Sequence, residues 1–183
     1  EPTHSAYFRP HLGGDLAALQ GMAKFLWQWE QQAQASGEPA VFDHDFLQAN
    51  CQGLEAYLAQ LDATPWDRIC QQSGLSMTEL EQAARLYAQS ERVIICWAMG
   101  ITQHHNSVAT IREIVNLQLL RGNLGRPGSG VCPVRGHSNV QGDRTMGINE
   151  RPGAEFLDAL EQHFGFSPPR EPGHNTVSAL QAM

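Results

Sequence analysis

Lysine is almost missing from this sequence: Lys24 is the one lysine in 183 residues. Nineteen acidic side chains face twelve basic ones, for a net charge of −7 at pH 7. So acidic a chain lacks the means to neutralise a phosphate backbone, and this excludes nucleic acid as a partner. Long apolar runs are missing too. None approaches the roughly 20 residues that a spanning helix needs, so no membrane span is expected. There is no Cys-x-x-Cys pair; Cys51, Cys70, Cys96 and Cys132 stand 19, 26 and 36 residues apart. That scatter matches neither a disulfide framework nor a metal-ligand spacing, and reads as reduced thiols in a reducing compartment, the cytoplasm. The Gly-x-Gly-x-x-Gly fingerprint behind a strand and the phosphate loop with its lysine are also missing, so the ordinary nucleotide folds are not indicated.

What is present is a globular composition, 42% apolar and 17% charged, long enough to bury a core of ordinary size. The first residue is Glu1 rather than Met, and the last helix has barely begun at Met183. The chain therefore reads as an internal piece of a longer one.

Helical spacing dominates the first half. Leu16, Leu19, Ala23, Leu26 and Trp27 predict a helix from Leu16 to Ala35, with Asp15 as N-cap and Ser36 and Gly37 at its end. Trp27 and Trp29 cannot face one core together, so one of them covers a neighbouring element. Asp43 to Leu61 reads as a second helix, weakened by Gly53. Thr64 as N-cap and Pro65 at the first helical position start a third, which closes at Ser73 and Gly74. Ser76 and Glu79 form a capping box that opens a fourth, with Leu80, Ala83, Ala84 and Tyr87 on its apolar side. Val93 to Trp97 is an unbroken apolar run, expected to be a parallel strand buried on both faces, although the rest of the sequence barely supplies neighbours for it. A helix capped by Asn106 or Ser107 runs to Arg121 and Gly122. Further on, short helices are expected around Phe156 to Phe164 and from Val177 onward.

The stretch from Trp97 to Gly147 organises the chain. Polar groups just beyond a buried strand sit at the carboxyl end of a sheet, where ligands of open α/β folds bind, and this makes Gln103, His104 and His105 candidate contacts. Adjacent histidines point in different directions, so His104 and His105 do not form a two-ligand metal site. The loop from Gly122 to Gly147 carries seven glycines and Arg126, Arg135 and Arg144, with Arg121 flanking it. It reads as ordered backbone lying close against a polyanionic ligand, because glycine permits close approach and arginine grips phosphate or carboxylate with two parallel donors. Arg135, Gly136 and His137 put a permanent cation, a flexible backbone and a titratable ring side by side, and Asn139 and Gln141 follow with donors and acceptors. The competing readings are a surface turn, a solvated arginine and a structural histidine.

Taken together, Trp97-Ala98-Met99-Gly100, Gln103, Leu120-Arg121-Gly122-Asn123-Leu124-Gly125-Arg126-Pro127, Gly130, Pro133-Val134-Arg135-Gly136-His137, Asn139-Val140-Gln141-Gly142 and Met146-Gly147 resemble the molybdopterin oxidoreductases, in particular the formate dehydrogenase-like alpha subunits. About fifty residues carry the likeness. Gly13-Gly14-Asp15 is similar to the family's small-residue turn before a helix that touches the dinucleotide. His137 stands where the formate dehydrogenases carry glutamine, which draws the pattern toward a separate branch of formate dehydrogenase-like oxidoreductases.

The resemblance implies a helix-rich α/β piece of a Rossmann-like αβα domain, with residues 1–136 belonging to a dinucleotide-type, pterin-binding part and 137–183 to the glycine loop and the start of an adjoining α/β segment. It implies a molybdenum or tungsten centre held by two molybdopterin guanine dinucleotides. It also implies a four-iron four-sulfur cluster bound by residues outside this chain, a small anionic substrate, and an electron-transfer partner in anaerobic metabolism. By the same likeness Gly13, Gly14, Asp15, Met99, Gly100, Gln103, Arg135, Gly136, Asn139, Gln141 and Gly142 contact the cofactor, and Arg135 and His137 are the catalytic candidates. None of these residues is implied to ligate the metal, and the piece alone is expected to be inactive. Two other readings stay open: a helical interaction or scaffold module without cofactor, and an anion or nucleotide-phosphate binding domain.

Overall fold

A computed structural model describes residues 4–134, 136, 137 and 139–183. The chain divides into two compact units, Glu1–Gly136 and His137–Met183.

The first unit is built around α1 (Asp15–Ser36), against which α3 (Leu54–Ala63), α4 (Trp66–Ser73), α5 (Met77–Gln89) and α7 (Ser107–Leu120) all pack. Two clusters of buried side chains flank it. Ala23, Leu26, Phe42, Leu47, Leu61, Tyr87, Leu117 and Leu120 form one. Phe25, Ile69, Leu75, Leu80 and Ala84 form the other. The two tryptophans of α1 separate as the periodicity requires. Trp27 packs on the first cluster and donates its ring N–H to the Asp62 carboxylate at 3.1 Å, while Trp29 lies against both clusters with the Arg85 guanidinium 4.9 Å above its ring.

Helix boundaries follow local chemistry, with three departures from expectation. Gly14 rather than Asp15 is the N-cap of α1, and Asp15 becomes its first residue, where a carboxylate favours the helix dipole. The run expected as one helix from Asp43 to Leu61 is two: α2 (His44–Asn50), capped by the Asp43 side chain accepting from Phe46 N, and α3. Gly53 separates them at φ +77°, a left-handed conformation that costs other residues about 1 kcal/mol or more. Thr64 closes α3 instead of opening α4, and Pro65 takes the N-cap position. The capping box between Ser76 and Glu79 forms as expected.

The lone lysine is spent on this scaffold. Lys24 is 6% exposed, and its ammonium donates to the carbonyls of Leu61 (2.7 Å), Asp62 (3.2 Å) and Thr64 (2.6 Å). A cation thereby adds a donor to acceptors at the carboxyl end of α3, where intrahelical donors run out.

The expected strand is present as β1 (Ile94–Trp97) and is parallel, but its neighbour comes from within the glycine loop: β2 (Gly130–Pro133) pairs with it in the register Ile94 with Gly130 through Trp97 with Pro133. Burial on both faces is not observed. Val93 and Ile95 pack on the first cluster, whereas Ile94 and Cys96 are exposed on the other face. An unbroken apolar run does not by itself tell one covered face from two. The sheet is rooted by α7: Gln118, fully buried, donates its amide to both Val93 O (2.9 Å) and Gly130 O (2.6 Å).

The second unit holds α8 (Val140–Thr145), α9 (Ala154–Phe164) and α10 (Thr176–Ala182). Arg170 pairs with Asp158 and Glu161 on α9, and Asn175 caps α10 by accepting from Ser178 N. Among its described residues, Leu157 and Pro168 are the buried apolar side chains.

Candidate functional site

Where β1 and β2 end, three of the predicted segments converge. Directly beyond Trp97, the chain enters a four-residue helix, α6 (Met99–Thr102), closed by Gln103 N donating to Gly100 O at 3.2 Å. Val134, just past β2, donates its N–H to Trp97 O at 2.7 Å, which ties the two turns together. A Cβ built on Gly136 would lie 3.6 Å from Met99 Sδ, so the Gly136 backbone passes beside the Met99 side chain. From the other side, His104 Nδ1 lies 3.6 Å from Asp15 Oδ2, which joins the turn after β1 to the start of α1. That nitrogen is buried and has no hydrogen-bond partner, since 3.6 Å is too long for one. His104 thus sits between two predicted segments, whereas its neighbour His105 is exposed.

The glycines of this region divide by what surrounds them. Gly100 has open space where a side chain would go, and so does Gly13. Gly14 is buried, and a Cβ there would sit 2.7 Å from Gln72 O and 3.0 Å from Ser73 O. Its close approach is to the chain's own α4 end. In the second unit, a Cβ on Gly142 would collide with the side chain of Asn139, which folds over it from the α8 N-cap position. Gln141 lies in the first turn of α8, and Gln141, Asn139 and His137 are all exposed. Arg135 lies outside the described residues.

The remaining arginines of the loop have other partners. Arg121 donates to Val41 O at 2.8 Å. Arg126 donates to Glu91 O at 2.7 Å and to Asn123 Oδ1 at 2.8 Å. Asn123 is itself fully buried and donates to the Tyr87 hydroxyl, whose pKa burial pushes up to about 12. These two arginines hold the loop to the scaffold rather than facing a polyanion at the carboxyl end. Arg144 pairs with Glu150 at 2.9 Å. A cleft of about 760 Å³ does lie beside Arg121 and Arg126, lined also by Arg92, Asp43 and Glu91, but it is at the amino end of β1 and carries both signs of charge.

Among the described residues, no group of three or more His, Cys, Asp and Glu side chains is arranged to hold a metal ion. Nor is any helix long and apolar enough to cross a membrane.

No family model matches the chain. Individual proteins do. It is 46% identical over 179 residues to protein YdeP of Escherichia coli O6:H1 (strain CFT073), covering 98% of this chain and 24% of that one. It is 43% identical over 182 residues to an uncharacterized oxidoreductase of Mycobacterium tuberculosis (strain ATCC 25618 / H37Rv), covering 100% of this chain and 23% of that protein. Formate dehydrogenase H of Escherichia coli (strain K12) matches at 38% over 122 residues, 66% of this chain and 17% of its own length. The chain is a relative of oxidoreductases. It spans about a quarter of the length of the first two relatives.

Proposed function

We propose that this chain is part of a molybdenum or tungsten oxidoreductase of the formate dehydrogenase-like kind, and that the convergence at the ends of β1 and β2 is one wall of its pterin site. The observation that carries the reading is that the turn after β1 is met by two segments distant in sequence, Asp15 beside His104 and Gly136 beside Met99, where an open parallel sheet binds ligands. The similarity to formate dehydrogenase H over 122 residues supports it. The local chemistry fits such a group: Gly100 leaves open space at the turn, and the buried His104 Nδ1 has no partner within the protein.

In this reading the Met99–Gly100 turn and Gln103, with Gly13, Gly14 and Asp15 opposite, hold one guanine dinucleotide by backbone and amide hydrogen bonds. The resemblance assigns further cofactor contacts to Gly136 and, in the second unit, to Asn139, Gln141 and Gly142. Arg135 supplies a fixed cation for a small anionic substrate, a role for which a guanidinium's paired donors are suited. His137 beside it holds or moves a proton. When bound, the metal–pterin group would supply two-electron redox chemistry, and the resemblance implies a four-iron four-sulfur cluster outside this chain and an electron-transfer partner beyond it.

The test is made on the whole matured protein. Metal and pterin analysis is expected to return molybdenum or tungsten with two pterins per chain. Arg135→Ala is expected to lower turnover of a small oxidisable anion with a dye acceptor by about 100-fold or more, with metal and pterin content unchanged. Protein free of both metal and pterin would overturn the reading in favour of a helical module without cofactor. Full turnover in the variant would remove Arg135 from the chemistry.

A further inference from the structure

Cys96 and Cys132 are 36 residues apart in sequence and directly opposite in space: the parallel register pairs them across β1 and β2. In-register neighbours of a sheet project to the same face. Both thiols are free and exposed, on the face that carries Ile94 and not on the one packed against the helices. Neither residue belongs to the cofactor turns, although each stands one position before the last residue of its strand.

We propose that Cys96 and Cys132 form a two-thiolate site for a soft, two-coordinate monovalent cation of the copper(I) class. Spacing suits the ion: neighbouring strands lie about 4.8 Å apart. A metal–sulfur bond is about 2.3 Å, and a linear sulfur–metal–sulfur bridge therefore separates the sulfurs by about 4.6 Å, close to the strand spacing. Ligand number decides the ion. Among the described residues no third His, Cys, Asp or Glu joins the pair, and four-coordinate zinc is not satisfied by two ligands. Thiolate softness selects copper(I) over harder ions. Burial, and then the neighbouring Cys132, hold the Cys96 thiol above its ordinary value of 9.0, so the ion must displace protons. Two thiols and one cation give one bis-thiolate complex of charge −1 and two released protons, and uptake weakens as pH falls. The site is independent of any pterin.

The test presents the whole protein with copper(I), delivered as its acetonitrile complex, in competition with a colorimetric copper(I) chelator. The wild type is expected to retain one equivalent more than Cys96→Ser or Cys132→Ser. Copper is also expected to protect Cys96 and Cys132 from alkylation, read by peptide mass, and to leave Cys51 and Cys70 labelling unchanged. This second readout needs no variant. Retention of the equivalent in either serine variant, or equal protection of all four cysteines, overturns the proposal.

Discussion

The charged side chains of this protein are used mostly as hydrogen-bonding hardware. Glu30, fully buried in the middle of α1, accepts from Val41 N at 2.7 Å, Phe42 N at 2.9 Å and Gln34 Nε2 at 2.8 Å, and lies 2.7 Å from His44 Nε2. Burial pushes its carboxyl pKa up, but Phe42, His44, Gln34 and Val41 together outweigh it and bring the value below the ordinary 4.5. On acidification the unfolded chain therefore takes up this proton before the folded one. The stability that Glu30 contributes is complete above about pH 5 and is lost as pH falls through its lower folded value. Urea titrations across pH 3 to 7 are expected to show this acid-limb loss, and Glu30→Gln is expected to flatten it while lowering stability at neutral pH. Glu113 has the opposite balance. Burial raises its pKa despite the Tyr57 hydroxyl donating to it at 2.6 Å, so it adds nothing to that acid-limb loss.

At the scale of elements, Lys24 joins α1 to the end of α3, and its removal takes the ammonium donor from three carbonyls, of which Leu61 O keeps the Thr64 N–H. Lys24→Met is expected to cost about 2 to 4 kcal/mol in chemical denaturation, an effect out of proportion to the loss of one charge. Nothing in the sequence marks that role, because the carbonyls belong to residues 37 to 40 positions away. Other elements were plain to read. Ser76 and Glu79 write their capping box within four residues, and the spacing of α1 gives nearly its full length. Gly53 was visible as a weakness but not as a break, since only its positive φ distinguishes a turn from a tolerated helical glycine. β2 was hidden because Gly130 and Pro133 are poor strand formers, and its pairing is supplied by β1. The site was legible to the same extent. Trp97 to Gln103 announced a turn behind a strand, but the meeting of Asp15 with His104 depends on how α1 packs. Arg121 and Arg126 looked like ligand-binding cations because sequence shows a side chain's charge and not the backbone oxygens it will meet.

For the whole molecule, the two units carry unequal cores. Both buried clusters belong to Glu1–Gly136, while Leu157 and Pro168 are the buried apolar side chains described in His137–Met183. All four tryptophans, Trp27, Trp29, Trp66 and Trp97, also lie in the first unit. A short segment with so little buried surface has a low melting point. Heating the chain is therefore expected to lower helical circular dichroism in an early phase to which tryptophan fluorescence is blind, followed by a second transition seen by both probes; a single coincident transition would mean that the units unfold as one. Within the first unit, order is not even along the sheet. Gln118 clamps the amino ends of both strands from a fully buried position, whereas their carboxyl ends run straight into exposed turns. Fraying can begin only at those far tips, so the sheet behaves as a short cantilever: its root is fixed by one amide, and whatever flexing a ligand demands is taken up at the end where it would land.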